Sequence, residues 1–270
     1  THVGKIVAQA AAKHLTPVVL ELGGKSPCII DDSVNLNLVA RRLVWGKLLN
    51  GGQTCIAPDY VIAKSNIKED LIAVLKTEIN KQYGENPENS LDFPRIVNKN
   101  NTKRLETLLQ DSNIVFGGKI NVNECYISPT LVDQPSLNSQ LMQEEIFGPI
   151  LPILTYNTEE DIEHIIWNLE KPLSLYVFSN KTSFIKSTIE KYSFGGGVIN
   201  DLLIHFGNHR LPFGGVGASG MGKYHGKHGF NTFSNTKPIV KRGNWFDPSF
   251  RYAPYKGKMS LLKLVFNYER

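Results

Sequence analysis

With 270 residues, 41% hydrophobic and 20% charged, the chain has the make-up of a folded protein with a large core. That excludes disorder, collagen-like repeats and coiled coil as overall descriptions. Thirty Lys and Arg against 25 Asp and Glu leave a charge of +5, spread along the chain without blocks, which argues against a nucleic-acid surface. The longest apolar stretch, Ile146 to Leu154, holds two prolines and is far too short to span a bilayer.

Residue 1 is Thr, and no charged-then-apolar leader follows it. Cys28, Cys55 and Cys125 lie far apart and are odd in number, which is no disulfide framework and no zinc spacing. A reducing, cytoplasmic location is expected.

Apolar spacing predicts a helix over 2–14, with Val3, Ile6, Val7 and Ala10 on one face. Val18 to Leu22 reads as a buried strand ending in Gly23-Gly24. A helix over 37–50 breaks at Gly51-Gly52, just ahead of Cys55. A strand at 60–63, a helix at 68–81 and a helix at 99–109 follow. Strands are expected near 114–116, 126–127, 150–156, 173–178 and 197–200, with helices at 159–169 and 184–191. Strands alternating with helices give an α/β fold with a largely parallel sheet. A strand–helix–strand fold that opens on a helix suggests the front of a larger protein is missing.

Cys55 follows a glycine break, where backbone N–H groups can face an oxyanion and little bulk screens the sulfur. Its alternative is a small buried hydrophobe. Glu21 interrupts an apolar strand; burial there would raise its pKa and make it a general base, and an ion pair with Lys25 or Arg41 is the alternative. Glu144-Glu145-Ile146-Phe147-Gly148-Pro149 sits between a helix and a strand, where two carboxylates and an aromatic ring could hold a ribose diol and a flat ring. The glycines of Leu211 to Gly222 do not follow a strand and open a helix, so a tight loop near a substrate mouth is expected rather than a phosphate cradle. His205 and His209 lack a third ligand at metal-binding spacing, so no metal is assigned.

Glu21-Leu22-Gly23-Gly24-Lys25-Ser26-Pro27, Gly52-Gln53-Thr54-Cys55, Glu144 to Pro149 and Pro212-Phe213-Gly214-Gly215 occur in this order. Together they resemble the aldehyde dehydrogenase superfamily. Ala57-Pro58-Asp59-Tyr60 and the run from Ser219 to Lys227 look like its class 3 branch, which includes the fatty aldehyde dehydrogenases. The resemblance implies NAD(P)-dependent oxidation of medium- or long-chain, also aromatic, aldehydes to carboxylic acids. It makes Cys55 the nucleophile that passes through a thiohemiacetal and a thioester, and Glu21 the base that activates the hydrolytic water. Glu145 would bind the nicotinamide ribose of NAD or NADP, with Phe147 near the ring, and the Cys55 N–H would form half of an oxyanion hole.

The family supplies the other half from an asparagine upstream of the region matched here. The resemblance therefore implies a remnant of a Rossmann-like cofactor domain over 1–20 and a catalytic domain over 21–228. An oligomerisation strand falls within 229–245, at Thr232 to Lys241, and a tail over 246–270. That strand implies a homodimer. Met259 to Phe266 would form a short basic amphipathic helix, which in the fatty aldehyde branch covers the substrate funnel, with peripheral membrane contact at the cytosolic face of the endoplasmic reticulum in a longer form. A different reading is a non-catalytic chain that dimerises with full-length subunits, and a third is a thiol esterase that uses Cys55.

Overall fold

The structure is a computed structural model and describes residues 1–266. Two units separate by their contacts, Thr1–Ser234 and Asn235–Arg270.

In chain order the first unit comprises α1 (His2–Ala12), β1 (Leu20–Glu21), β2 (Pro27–Ile30), α2 (Leu36–Leu48), β3 (Tyr60–Lys64), α3 (Lys68–Tyr83) and α4 (Lys99–Leu108). β4 (Ile114–Phe116), β5 (Ile120–Asn121), β6 (Tyr126–Ile127), β7 (Thr130–Asp133), α5 (Gln140–Gln143) and β8 (Ile150–Tyr156) follow. The unit closes with α6 (Glu159–Trp167), β9 (Ser174–Phe178), α7 (Thr182–Lys191), β10 (Gly196–Ile199), β11 (Gly220–Met221) and α8 (Gly226–Thr232).

Seven strands form one sheet in the order β10-β9-β2-β3-β8-β7-β4. All neighbours are parallel except the β4–β7 pair at one end. Alternating side chains serve the two faces, as the pleat requires. Cys28, Ile30, Val61, Ala63, Tyr176 and Phe178 join the apolar residues of α2 and α3. Ile29, Tyr60, Ile62, Leu175 and Val177 join those of α6 and α7. Helices on both faces explain why the strands read as continuous apolar runs.

The sheet contains two strands that apolar patterning does not single out. Pro27–Ile30 is a fully buried interior strand, yet four residues between Lys25-Ser26 and Asp31-Asp32 are too few to show a period. Thr130–Asp133 is equally short.

The expected buried strand over 18–22 is corrected. Only Leu20–Glu21 is a strand, Glu21 is exposed, and the pair is a two-residue antiparallel ribbon with Gly220–Met221 outside the main sheet. The glycine-rich loop supplies that second strand because it has no side chains to keep it away. A Cβ on Gly220 would lie 2.2 Å from the Leu20 carbonyl oxygen, and one on Gly215 would lie 1.9 Å from that of Ser219.

Helix α1 forms as expected, but its apolar face is open, with Val3, Ile6 and Val7 exposed. Only Gly4 is buried, against Leu22.

The parallel strands all start at one edge of the sheet, and the segments entering that edge carry the chemistry. Glu21 to Lys25 lead into β2, Cys55 to Asp59 into β3, and Glu144 to Phe147 into β8.

The second unit holds a helical turn at Ser249–Arg251 and α9 (Met259–Phe266). Among its described residues no strand forms, so the segment read as an oligomerisation strand has no ladder within the chain. No described helix is long and apolar enough to cross a membrane.

Candidate active site

Cys55 is delivered by the break at the end of α2. Leu49–Gly52 is a tight turn in which Asn50, Gly51 and Gly52 take φ of +54°, +64° and +75°. Gly52 is required there, because a Cβ would lie 2.2 Å from the Gly148 carbonyl oxygen. The turn thereby sits against the loop that carries Glu145. Gln53 tacks it down on the other side, donating to the carbonyls of Asn50 and Arg95 and accepting from the Val97 N–H at 2.8 Å. After the cysteine, the Tyr176 hydroxyl donates to the Ile56 carbonyl at 2.6 Å.

The Cys55 side chain is partly buried, and the Glu21 carboxylate lies close enough for its charge to act on the thiol. Burial, then the charge of Glu21, then the charge of Glu145, push the thiol up to about 12. In this state Cys55 carries its proton at neutral pH.

Glu21 is exposed, so the burial argument for its basicity does not apply, and neither expected ion pair forms. Its carboxylate instead accepts a hydrogen bond from the Tyr224 hydroxyl at 2.8 Å, and Lys25 is committed to Asp59.

The Lys25–Asp59 pair, with both side chains about 5% exposed, fixes the third segment. Lys25 also donates to the carbonyls of Leu141 and Glu144 at 2.9 Å. Asp59 accepts from the Ile146 N–H at 3.2 Å. Arg104 donates to the carbonyls of Glu145 and Ile146. The backbone on either side of Glu145 is thus held by one buried carboxylate and two cations. Lys47 lies 3.9 Å from Asp59, only 2% exposed, and its Nζ has no hydrogen-bond partner. Burial first, opposed by Asp59, brings its ammonium down to about 8.

Glu145 points at Gly23 and Gly24. A Cβ on Gly23 would fall 1.8 Å from Glu145 Oε2. Burial, then the charge of Asp59, raise its carboxyl to about 7. Gly23, Gly24, Gln143, Glu145 and Trp167 line a cavity of about 540 Å³. Phe147 follows on the same loop with φ +52° and is 41% exposed.

The four residues singled out in the sequence therefore fall at one edge of the sheet, Cys55 with Glu21 and Glu145 with Phe147. Sequence reading missed Tyr224 and Asp59 as site residues. Both stand in the runs that carry the family resemblance, but an aromatic and an acid in loops announce no partner of their own. His205 and His209 stay apart from this chemistry. His205 contacts Ser174 Oγ at 3.1 Å, and burial lowers it to about 4, while His209 packs beside His225 with ring centroids 5.6 Å apart. No cluster of three metal-ligating side chains occurs among the described residues.

Residues 1–239 match the aldehyde dehydrogenase family. The chain is 48% identical over 267 residues to the 4,4'-diaponeurosporen-aldehyde dehydrogenase of Staphylococcus aureus, covering 98% of this chain and 58% of that protein. It is 49% identical over 243 residues to rat aldehyde dehydrogenase family 3 member A2, covering 90% of this chain and 50% of that one. The solved substrate-bound state of S. aureus AldH superposes with a TM-score of 0.94 at 48% identity, over 98% of this chain and 58% of that one. The chain thus spans a little over half the length of these relatives, and it belongs to the aldehyde dehydrogenase family, in its class 3 branch.

Proposed function

We propose that the protein carrying this chain oxidises medium- or long-chain aliphatic, and also aromatic, aldehydes to carboxylic acids, with NAD or NADP as the hydride acceptor. The observation that carries this reading is that Glu21 and Glu145 both stand close enough to Cys55 for their charges to act on its thiol, at the one edge of the sheet where the three segments meet.

The residues fit a dinucleotide. A carboxylate lies over two glycines, in a cradle that a single Cβ at position 23 would fill, and it faces a cavity. Glu145 would hold ribose hydroxyls there, with Phe147 beside the ring. When bound, the dinucleotide supplies the acceptor for the hydride that leaves the aldehyde carbon.

The chain's own residues do the rest. Glu21 is the carboxylate whose charge acts most strongly on the thiol, so it can take the thiol proton as sulfur attacks the carbonyl carbon. The thiohemiacetal forms on Cys55, where the Cys55 N–H faces the oxyanion. After oxidation a thioester remains on the same sulfur. Glu21, once it has released the thiol proton to solvent, takes a proton from the attacking water. Breaking of the C–S bond frees the carboxylic acid and returns the Cys55 sulfur, which regains a proton. Cys55→Ala in the full-length protein should abolish aldehyde oxidation. Retained activity would reject the assignment.

For partners, a homodimer is the reading that β10 supports. β10 is a free end of the sheet, and Ile199, Ile204, Leu211 and Ile189 are exposed around it. The Thr232–Lys241 segment of a second copy would add a strand there. Sedimentation of the full-length protein as a monomer would reject it. The second unit suits an anionic lipid surface: residues 237–263 carry seven Lys and Arg against one acid, Asp247, with Trp245 exposed. Co-sedimentation with phosphatidylserine vesicles should occur and fall with salt, and salt-independent absence of binding would reject the contact.

A further inference from the structure

We propose that Tyr224 is a positioning residue whose hydroxyl holds the Glu21 carboxylate against the Cys55 thiol. The inference rests on Glu21 acting as the base of the proposed reaction.

Glu21 lacks the restraints that hold the other site residues. It stands on a two-residue ribbon at the surface, and the lysine four positions on is occupied by Asp59. A flexible exposed carboxylate loses rotamer freedom if it is to wait at a sulfur atom. The hydrogen bond that its side chain makes in the structure comes from Tyr224, 203 positions away.

Tyr224 is built to be a fixed donor. Its backbone N–H donates to the Phe213 carbonyl and its carbonyl accepts from the Phe213 N–H, both at 2.8 Å. Its ring stands edge-on to Phe213 and His225, with centroid separations of 5.9 and 4.9 Å. Burial and the Glu21 charge push the phenol up to about 12, so it remains a proton donor through the neutral range. Three residues before it, Met221 pairs with Leu20. The glycine-rich loop therefore delivers both the strand that holds the Glu21 backbone and the hydroxyl that holds its carboxylate.

The arrangement separates holding from proton transfer. One carboxylate edge bonded to the phenol leaves the rest of the group for the thiol and for water. A fixed base is worth more than a free one because the orientation is settled before reaction.

Tyr224→Phe in the full-length holoenzyme removes one oxygen and keeps the ring packing. Steady-state turnover should fall about 10-fold, a part of the roughly 10²- to 10⁴-fold that a positioned base contributes, with the aldehyde KM little changed. The same substitution in a Glu21→Gln background should cost less than about 2-fold, because the effect acts through Glu21. Equal losses in both backgrounds would show a structural role and overturn the proposal, as would full turnover in Tyr224→Phe alone. Unchanged turnover in Glu21→Gln alone would instead overturn the reading of Glu21, and the role of Tyr224 would fall with it.

Discussion

Lys25 and Asp59 form a buried ion pair that ties three separate chain segments together. Asp59 lies four residues after the candidate nucleophile and Lys25 four after the candidate base, and Lys25 reaches two carbonyls of the segment preceding Glu145. A buried pair of this kind contributes little net stability against an apolar substitute, but removing one member leaves a charge stranded. Asp59→Asn strands both Lys25 and Lys47. It should cost roughly 3–5 kcal/mol of folding stability, measured by urea denaturation of the full-length protein. A loss below about 1 kcal/mol, the usual value of an exposed pair, would mean the knot is solvated in solution.

Gly23 gives a sharper test of the cofactor cradle. Its missing Cβ is replaced by the Glu145 carboxylate, so Gly23→Ala must displace that side chain. The expected result is a rise in the KM for NAD or NADP of about 10-fold or more, equivalent to about 1.4 kcal/mol, with the melting temperature nearly unchanged. Unaltered cofactor KM would place the ribose elsewhere.

How much of this was legible in the sequence depended on the length and isolation of each signal. The long helices announced themselves by periodicity, because a dozen residues average out local exceptions, and β8 by the length of its apolar run. Pro27–Ile30 did not, although it is an interior strand of the sheet, since four residues are too short a run to stand out. Glu21 was found for a reason the structure corrects: it looked like a charge in a buried strand, whereas the strand is a surface ribbon made by a loop 200 residues later. Its real anchor, Tyr224, is a long-range partner that no local pattern encodes. Asp59 was missed in the same way, because its meaning lies in Lys25, Lys47 and the Ile146 amide.

The Glu145 carboxyl, raised to about 7 by burial and then by Asp59, gives a pH signature. A raised carboxyl pKa means the folded protein holds a proton that the unfolded chain has released. The contribution is therefore fully present below the unfolded value of 4.5 and is lost as pH rises through about 7. Glu145→Gln should flatten the decline in melting temperature between pH 5 and pH 8, on the order of 1–3 kcal/mol when converted to stability. Equal slopes in the two proteins would mean that the carboxyl titrates as an ordinary surface acid.

Cys55 makes the last prediction, and its sign runs against the usual picture of an activated thiol. Its thiol is pushed up to about 12, first by burial and then by Glu21, so little thiolate exists at pH 8 and iodoacetamide should label it slowly. Removing the neighbouring charge lowers the cost of making a thiolate. Glu21→Gln should therefore accelerate alkylation at Cys55 several-fold while reducing aldehyde turnover, with the melting temperature unchanged; a fallen melting temperature would mark a global loosening that exposes the thiol instead. Burial, the larger cause, is left in place, so the rate should stay below that of a free thiol. Peptide mass spectrometry separates Cys55 from Cys125, which is partly exposed, and from Cys28, which is buried. Slower alkylation in Glu21→Gln would show that the carboxylate promotes thiolate formation in the resting protein, and the order of proton transfers would have to be rewritten around that fact.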